Sequence, residues 1–333
     1  MKLGTGLFTC QRRPDDDRSF EAIYSEMCTL AETIEQAGLD SAWVSEHHFL
    51  HDGYLSGTMP ALGAIAARTN TIEIGPCIAI APLYEPVHLT EDAATIDLLA
   101  NGRLTLGLAI GSNREEFDAM GIPIEERVDR LIDTTKILRN GWSPGSLDYT
   151  AEFHSIDPDT TITPKPSDPI PIMYGGAAKP AVRRAARVAD AWCAPSSLSI
   201  QDIQKRVTDI KRVRDKEDIS GDFDIYILQH GFVADSKQAA WEQMKDGYFY
   251  LQRRYAEMFG NESISSLSTT RKQELKDQAI FGTPEDVTNE LLQYQEAIDK
   301  DIHFIYRTYY PGIGTQPMKR CINRLGDEVY PNL

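Results

Sequence analysis

Residues 72–110 read IEIGPCIAIAPLYEPVHLTEDAATIDLLANGRLTLGLAI, and this stretch decides the fold. Ile72 to Ile80 is a run rich in β-formers. Pro86 to Leu99 follows as a helix that opens on a proline, the residue best tolerated in a first helical turn. Asn101-Gly102 then marks a turn, and Arg103 to Ile110 is a second apolar strand. Strand, helix and strand in succession describe a βαβ unit, whose two strands must lie parallel.

The same alternation extends in both directions. Toward the N-terminus, Leu3 to Thr9 and Ser41 to Ser45 read as strands. Between them Phe20, Ile23, Met27, Leu30 and Ile34 recur at helical spacing up to Gly38. Pro60 to Arg68 is helical. Toward the C-terminus the strands are Ile170 to Tyr174, Ala191 to Ala194, Phe223 to Val233 and Ile302 to Tyr309. Helices lie between them and a last helix closes the chain from Pro317 to Val329. Eight strands alternating with helices predict a (β/α)8 TIM barrel, a single domain over 1–333. An open doubly wound sheet would alternate in the same way, but no GxGxxG follows the first strand. Two stretches break the rhythm and read as insertions. Residues 141–170 are rich in Pro, Asp and Thr and contain a small hairpin around Tyr149 to Ile156. Residues 260–280 form a polar, mobile excursion. Both have lengths suited to lids over the barrel mouth, or to surface elaboration.

Composition narrows the function. With 50 acidic and 34 basic residues the chain carries a net charge of −16, which repels nucleic acid and anionic membranes. No apolar run is long enough to span a bilayer. Five scattered cysteines with no CxxC pair argue against a disulfide framework or zinc site and fit a reducing, cytoplasmic setting.

Three motifs carry chemistry. Trp43-Val44-Ser45-Glu46-His47-His48-Phe49 ends the second strand, on the face where barrel enzymes place their sites. His47 and His48 are candidates for proton transfer. Adjacent strand residues face opposite ways, so they are poor joint metal ligands; His230 and His303, in late strands, are the remaining partners a barrel could bring to His47. Tyr174-Gly175-Gly176-Ala177-Ala178-Lys179 joins a strand to a helix, and the bare N–H groups of that helix start suit a phosphate. Ala109-Ile110-Gly111 leaves room for a planar ligand. Arg127 is either a phosphate clamp or half of a surface pair with Glu125 or Glu126.

Taken together, SAWVSEHHF (41–49), the block 70–121, PIMYGGAAKPAVRRAARVADAW (171–192), GTPEDVTNELLQYQ (282–295) and YRTYYPGIG (306–314) resemble the luciferase-like flavin monooxygenases. The resemblance covers most of the chain outside about 141–170 and 235–278. It implies a barrel that binds reduced FMN, supplied by a separate flavin reductase, and uses oxygen to oxidise a small-molecule substrate, in a homodimer or heterodimer. It gives His47 the catalytic position and Arg127 a place at the phosphate, with Gly175 to Lys179 as the phosphate loop. The strand under the flavin ring contains Cys77 and Ile78, joined by a cis peptide. Ala109 replaces the reactive cysteine of bacterial luciferase, and Gly175-Gly176 replace acidic and hydroxyl residues of its phosphate loop. Relatives that transfer hydride to or from a deazaflavin coenzyme, and others that bind flavin without catalysis, are the alternatives.

Overall fold

The computed structural model describes residues 1–147, 149–150, 153–154, 156–157, 159–259 and 267–333. Its strands, in chain order, are β1 (Lys2–Phe8), β2 (Ser41–Val44), β3 (Glu73–Pro76), β4 (Ala79–Ile80), β5 (Leu106–Ala109), β6 (Ile172–Gly175), β7 (Ala191–Ala194), β8 (Asp224–Val233), β9 (Ile280–Gly282) and β10 (Ile302–Arg307). All pairs are parallel: β1 with β2, β2 with β3, β4 with β5, and so on to β7 with β8, then β8 with β10 and β10 back to β1, while β9 pairs with β8 off this path. The bridge from Ile74 to Leu104 joins β3 to the lead-in of β5. β3 and β4 are thus two halves of one stave, separated only by the Cys77–Ile78 peptide, which is cis. Counted so, the barrel has eight staves, as the alternation predicts.

The helices ring the sheet: α1 (Phe20–Gln36), α2 (Thr58–Ala66), α3 (Pro86–Leu99), α4 (Arg114–Ala119), α5 (Arg127–Trp142), α6 (Lys179–Val188), α7 (Ile200–Lys216), α8 (Lys237–Met258), α9 (Thr269–Gln278), α10 (Pro284–Ala297) and α11 (Thr315–Arg324). Several starts follow capping chemistry. Ser19, Ser199, Ser236 and Ser268 each accept a backbone N–H, and Thr283 with Asp286 forms a reciprocal capping box. One apolar layer packs between helices and sheet. A second cluster fills the barrel itself, with Leu7, Trp43, Met173, Tyr226 and Ile305. Such inward layers make the barrel a packed plug rather than a pore, so ligands are confined to its ends.

Several expectations change. Among the described residues of 149–156 no strand forms; the rest of that hairpin lies outside them. Instead Leu147 and Ile162 are buried with Ile137 of α5, and Val87 of α3 packs against the same cluster, so the described part of this insertion packs on the helix layer. In the second insertion, 260–266 lie outside the described residues, but Thr269–Gln278 is helix α9 rather than a polar loop, and Ile280–Gly282 adds β9 beside Gly231–Val233. The closing helix starts at Thr315 and ends in a π turn at Leu325–Val329. Among the described residues no helix is long and apolar enough to cross a membrane.

Candidate active site

Register fixes which strand residues share a level. Gly6, Arg307 and His230 lie side by side where β1, β10 and β8 approach their C-terminal ends. Lys2, His303 and Tyr226 form the matching level near the N-terminal ends. The two levels are four residues apart, roughly 13 Å at the rise of a β-strand. His303 therefore belongs to the opposite end from the mouth: it hydrogen-bonds Ser41 Oγ at 2.7 Å and stacks on Tyr226. His230 faces the mouth. The three histidines do not gather, and no group of metal-ligating side chains is found among the described residues.

At the mouth lies a cavity of about 450 Å³, walled by Leu7, Ser45, His47 and Cys77 from the first staves and by His230 and Arg307 from the late ones. α8, α9 and the residues that flank them supply most of the rest, among them Tyr255, Phe259, Leu267 and Arg271, and Leu228 of β8 with Ser196 and Ser197 after β7 complete it. A larger cavity of about 640 Å³ lies to one side, between the loop after β7 and α10, and shares only Ser196 and Ser197 with it. The smaller one holds the imidazole, and its volume is that of an ordinary small-molecule site.

The Glu-His-His run divides its labour. His47 Nδ1 lies 3.0 Å from Glu116 Oε1, and the ring packs edge-on against Tyr54 and Tyr255. Glu116, fully buried on α4, also accepts the His48 backbone N–H at 2.8 Å. With Nδ1 donating to a carboxylate, Nε2 is left as the free ring position. His48 is not in the lining. Its Nε2 meets Glu46 Oε1 at 3.0 Å. Burial opposes its charged form, but the hydrogen bond to Glu46 and the charges of Glu46 and Glu116 outweigh that and raise its pKa above the usual histidine value. Glu46 in turn accepts from Thr58 Oγ1 at 2.9 Å, from the Tyr84 hydroxyl and from the Ile80 N–H at 3.3 Å. This carboxylate ties the end of β2 to β4, just past the cis peptide.

The other candidates fall into two groups. Cys77 lines the cavity, and its sulfur is 3.7 Å from that of Cys193; both thiols are free. Ile78 reaches Gly175: a Cβ at that glycine would stand 2.0 Å from Ile78 Cδ1. Gly176 has φ +134°, a backbone only glycine adopts readily. Gly111, with φ +70°, is likewise closed in by Ile80 and Phe117, and Ile110 before it is half-buried against the core. Tyr174 turns the other way. It is buried against α5, bonded to the Thr135 hydroxyl, and burial pushes its phenol up to about 12. Ala177 lends its carbonyl to Arg206 Nε at 2.9 Å, and Lys179 is exposed.

The residues fit a phosphate. α6 begins with no side-chain cap, so its first N–H groups are unclaimed by one. Arg127 forms no ion pair among the described residues: Glu125 pairs with Arg114 and Glu126 with Arg130. Its Nε is buried without a partner. Arg184, on α6, has its pKa lowered by burial, which the nearby Tyr174 and Asp129 only partly offset. That influence puts α6 beside the start of α5, where Arg127 lies.

Sequence reasoning missed two residues here. Glu116 is one of 50 acidic residues, and only its place just ahead of the apolar Phe117 hinted at burial. Arg307, ending the apolar strand IHFIYR, offered the cue of a lone charge in a buried run.

Comparison with known proteins agrees with this architecture. The family model described as luciferase-like monooxygenase matches residues 1–300. The oxygenase component of the flavin-dependent trigonelline monooxygenase of Acinetobacter baylyi is 28% identical, over 98% of this chain and 94% of that protein. An F420-dependent glucose-6-phosphate dehydrogenase of Nakamurella multipartita is 30% identical over 52% of each chain. Among solved structures, a monooxygenase from Streptomyces bottropensis superposes with a TM-score of 0.88 at 20% identity, over 99% of both chains.

Proposed function

The chain belongs to the luciferase-like monooxygenase family, and from that premise we propose that it is the oxygenase of a flavin-dependent monooxygenase. In this reading it takes reduced FMN from a separate reductase and uses molecular oxygen to oxidise a small organic substrate. The observation that carries it is His47, oriented by Glu116, at the wall of a mouth cavity that also contains Cys77. The relative aligned along almost the whole chain is an oxygenase component of a flavin-dependent enzyme, which supports a separate reductase and makes trigonelline the first compound to offer.

Arg127 and the first N–H groups of α6 would hold the coenzyme phosphate, and Ile78 with Gly175 would bound the ring. When bound, the flavin supplies the electrons that activate oxygen. The chain's own residues do the rest. His47 holds or moves a proton at Nε2. Leu7, Leu228 and Phe259 keep water from the reacting groups. Tyr255, Tyr54 and Ser45 form a hydroxyl chain along one wall, at 2.9 and 2.8 Å.

Anaerobic titration with reduced FMN and with the deazaflavin coenzyme, side by side, tests the assignment. Preferential binding of FMN followed by substrate-dependent oxygen uptake is the expected result. The half-length match to a deazaflavin-dependent dehydrogenase supports the second reading, hydride transfer without oxygen. Preferential deazaflavin binding with no oxygen uptake would replace the first reading with it.

A further inference from the structure

Arg307 closes β10 at the mouth and is 1% exposed. Its Nε donates to the Tyr309 carbonyl at 3.4 Å and its Nη1 to the Tyr255 hydroxyl at 3.2 Å, while Nη2 is buried with no partner. No carboxylate pairs with it among the described residues. The groups that favour its charge are phenols, Tyr255, Tyr54 and Tyr310. An arginine does not discharge by losing its proton, and a buried charge without a counter-ion is costly. The site is built around a cation that lacks its anion.

The lining sharpens this. The chain has 50 acidic residues, yet among its described residues the lining of this cavity contains none. It contains two arginines: Arg271 from α9, which is exposed and paired with Glu274 at 3.0 Å, and Arg307 at the floor, which has no such partner among the described residues. His230, level with Arg307, is held neutral by burial and by that neighbouring positive charge. A cavity so arranged favours an anion small enough for about 450 Å³, and a guanidinium whose Nη2 has no partner suits a carboxylate.

We propose that the substrate carries a carboxylate and that Arg307 is the residue that recognises it, leaving the rest of the molecule beside His47. This rests on the mouth being the oxidation site and names the class of molecule oxidised there.

The test is equilibrium binding to the full chain, by calorimetry, of matched acids and amides: benzoate against benzamide, nicotinate against nicotinamide. The native protein is expected to prefer each acid by at least ~10-fold, the worth of one charge-assisted hydrogen bond. Arg307→Gln should abolish that preference while leaving reduced-FMN affinity unchanged. Arg307→Lys, which keeps the charge and loses the planar fork, should retain part of it and carries the test if the glutamine variant does not fold. Equal binding of acid and amide by the native protein overturns the proposal. So does an unchanged preference in both variants, or a loss confined to reduced-FMN affinity, which would assign the guanidinium to the coenzyme. Flavin titration of the same samples separates the two readings: acid preference without any FMN binding removes the coenzyme assignment and supports Arg307.

Discussion

Glu116 orients His47 from behind, through a contact no sequence pattern advertises. Its Oε1 accepts from both the His47 ring and the His48 backbone, and its Oε2 is buried with no partner. Glu116→Gln can keep Oε1 in place and set its amide where Oε2 now lies. Turnover should then drop with little change in stability, whereas Glu116→Ala strands a buried N–H and should cost roughly 1–3 kcal/mol in a denaturant melt. His47→Asn should lower turnover by about 100-fold, the usual worth of a positioned proton-transfer group, with FMN affinity preserved. Steady-state rates and flavin titration on the same variants check both, and unchanged turnover in His47→Asn would remove that ring from the chemistry. His47 stood out in the sequence because it ends a strand in an unusual Glu-His-His run. Glu116 and Arg307 did not, because their roles come from a long-range contact and from a missing one.

At the scale of elements, the halves of the flavin reading meet where β6 passes the β3–β4 junction. A methyl at residue 175 collides with Ile78 Cδ1, the movable end of a side chain, so the fold should survive while the ring site is distorted. Gly175→Ala should therefore weaken FMN binding several-fold at nearly native stability, and Gly175→Ala combined with Ile78→Val should restore it. A double-mutant cycle of FMN affinity measures that coupling, and strict additivity would show that the two residues do not share the site. The elements read from sequence were those with a period. The staves were legible because short apolar runs alternate with amphipathic helices. α9 was not: TTRKQELKDQ is polar on every side and buries only Leu275. β9, with three residues, and α4, with six, are too short for periodicity to register. The stretch 72–80 reads as one strand because no periodicity marks the break at Cys77–Ile78, where only the family resemblance implies a cis peptide.

For the whole molecule, the end of the barrel opposite the mouth sets part of the acid response. Burial, with the charge of Lys2, lowers the pKa of His303 to about 3. Its folded value lies below its unfolded one, so the unfolded chain takes up a proton the folded chain refuses. Stability from this residue is intact above the unfolded value, near 6.5, and declines as pH falls below it toward 3. The loss should approach about 2 kcal/mol between pH 6.5 and 5. Urea midpoints at the two pH values, for the native protein and for His303→Asn, check this; the variant should have the shallower pH slope, and equal slopes would refute it. His230, also held neutral by burial, pulls in the same direction, whereas His48, with its raised pKa, pulls the other way.

The roof of the mouth has a practical consequence. Tyr255, Phe259, Leu267 and Arg271 all come from the single stretch between β8 and β9, whereas the proposed phosphate and ring contacts come from residues 77–179. The side chains that roof the mouth can thus be exchanged as one contiguous segment, while Arg307 at the floor and the proposed phosphate and ring contacts all lie outside it.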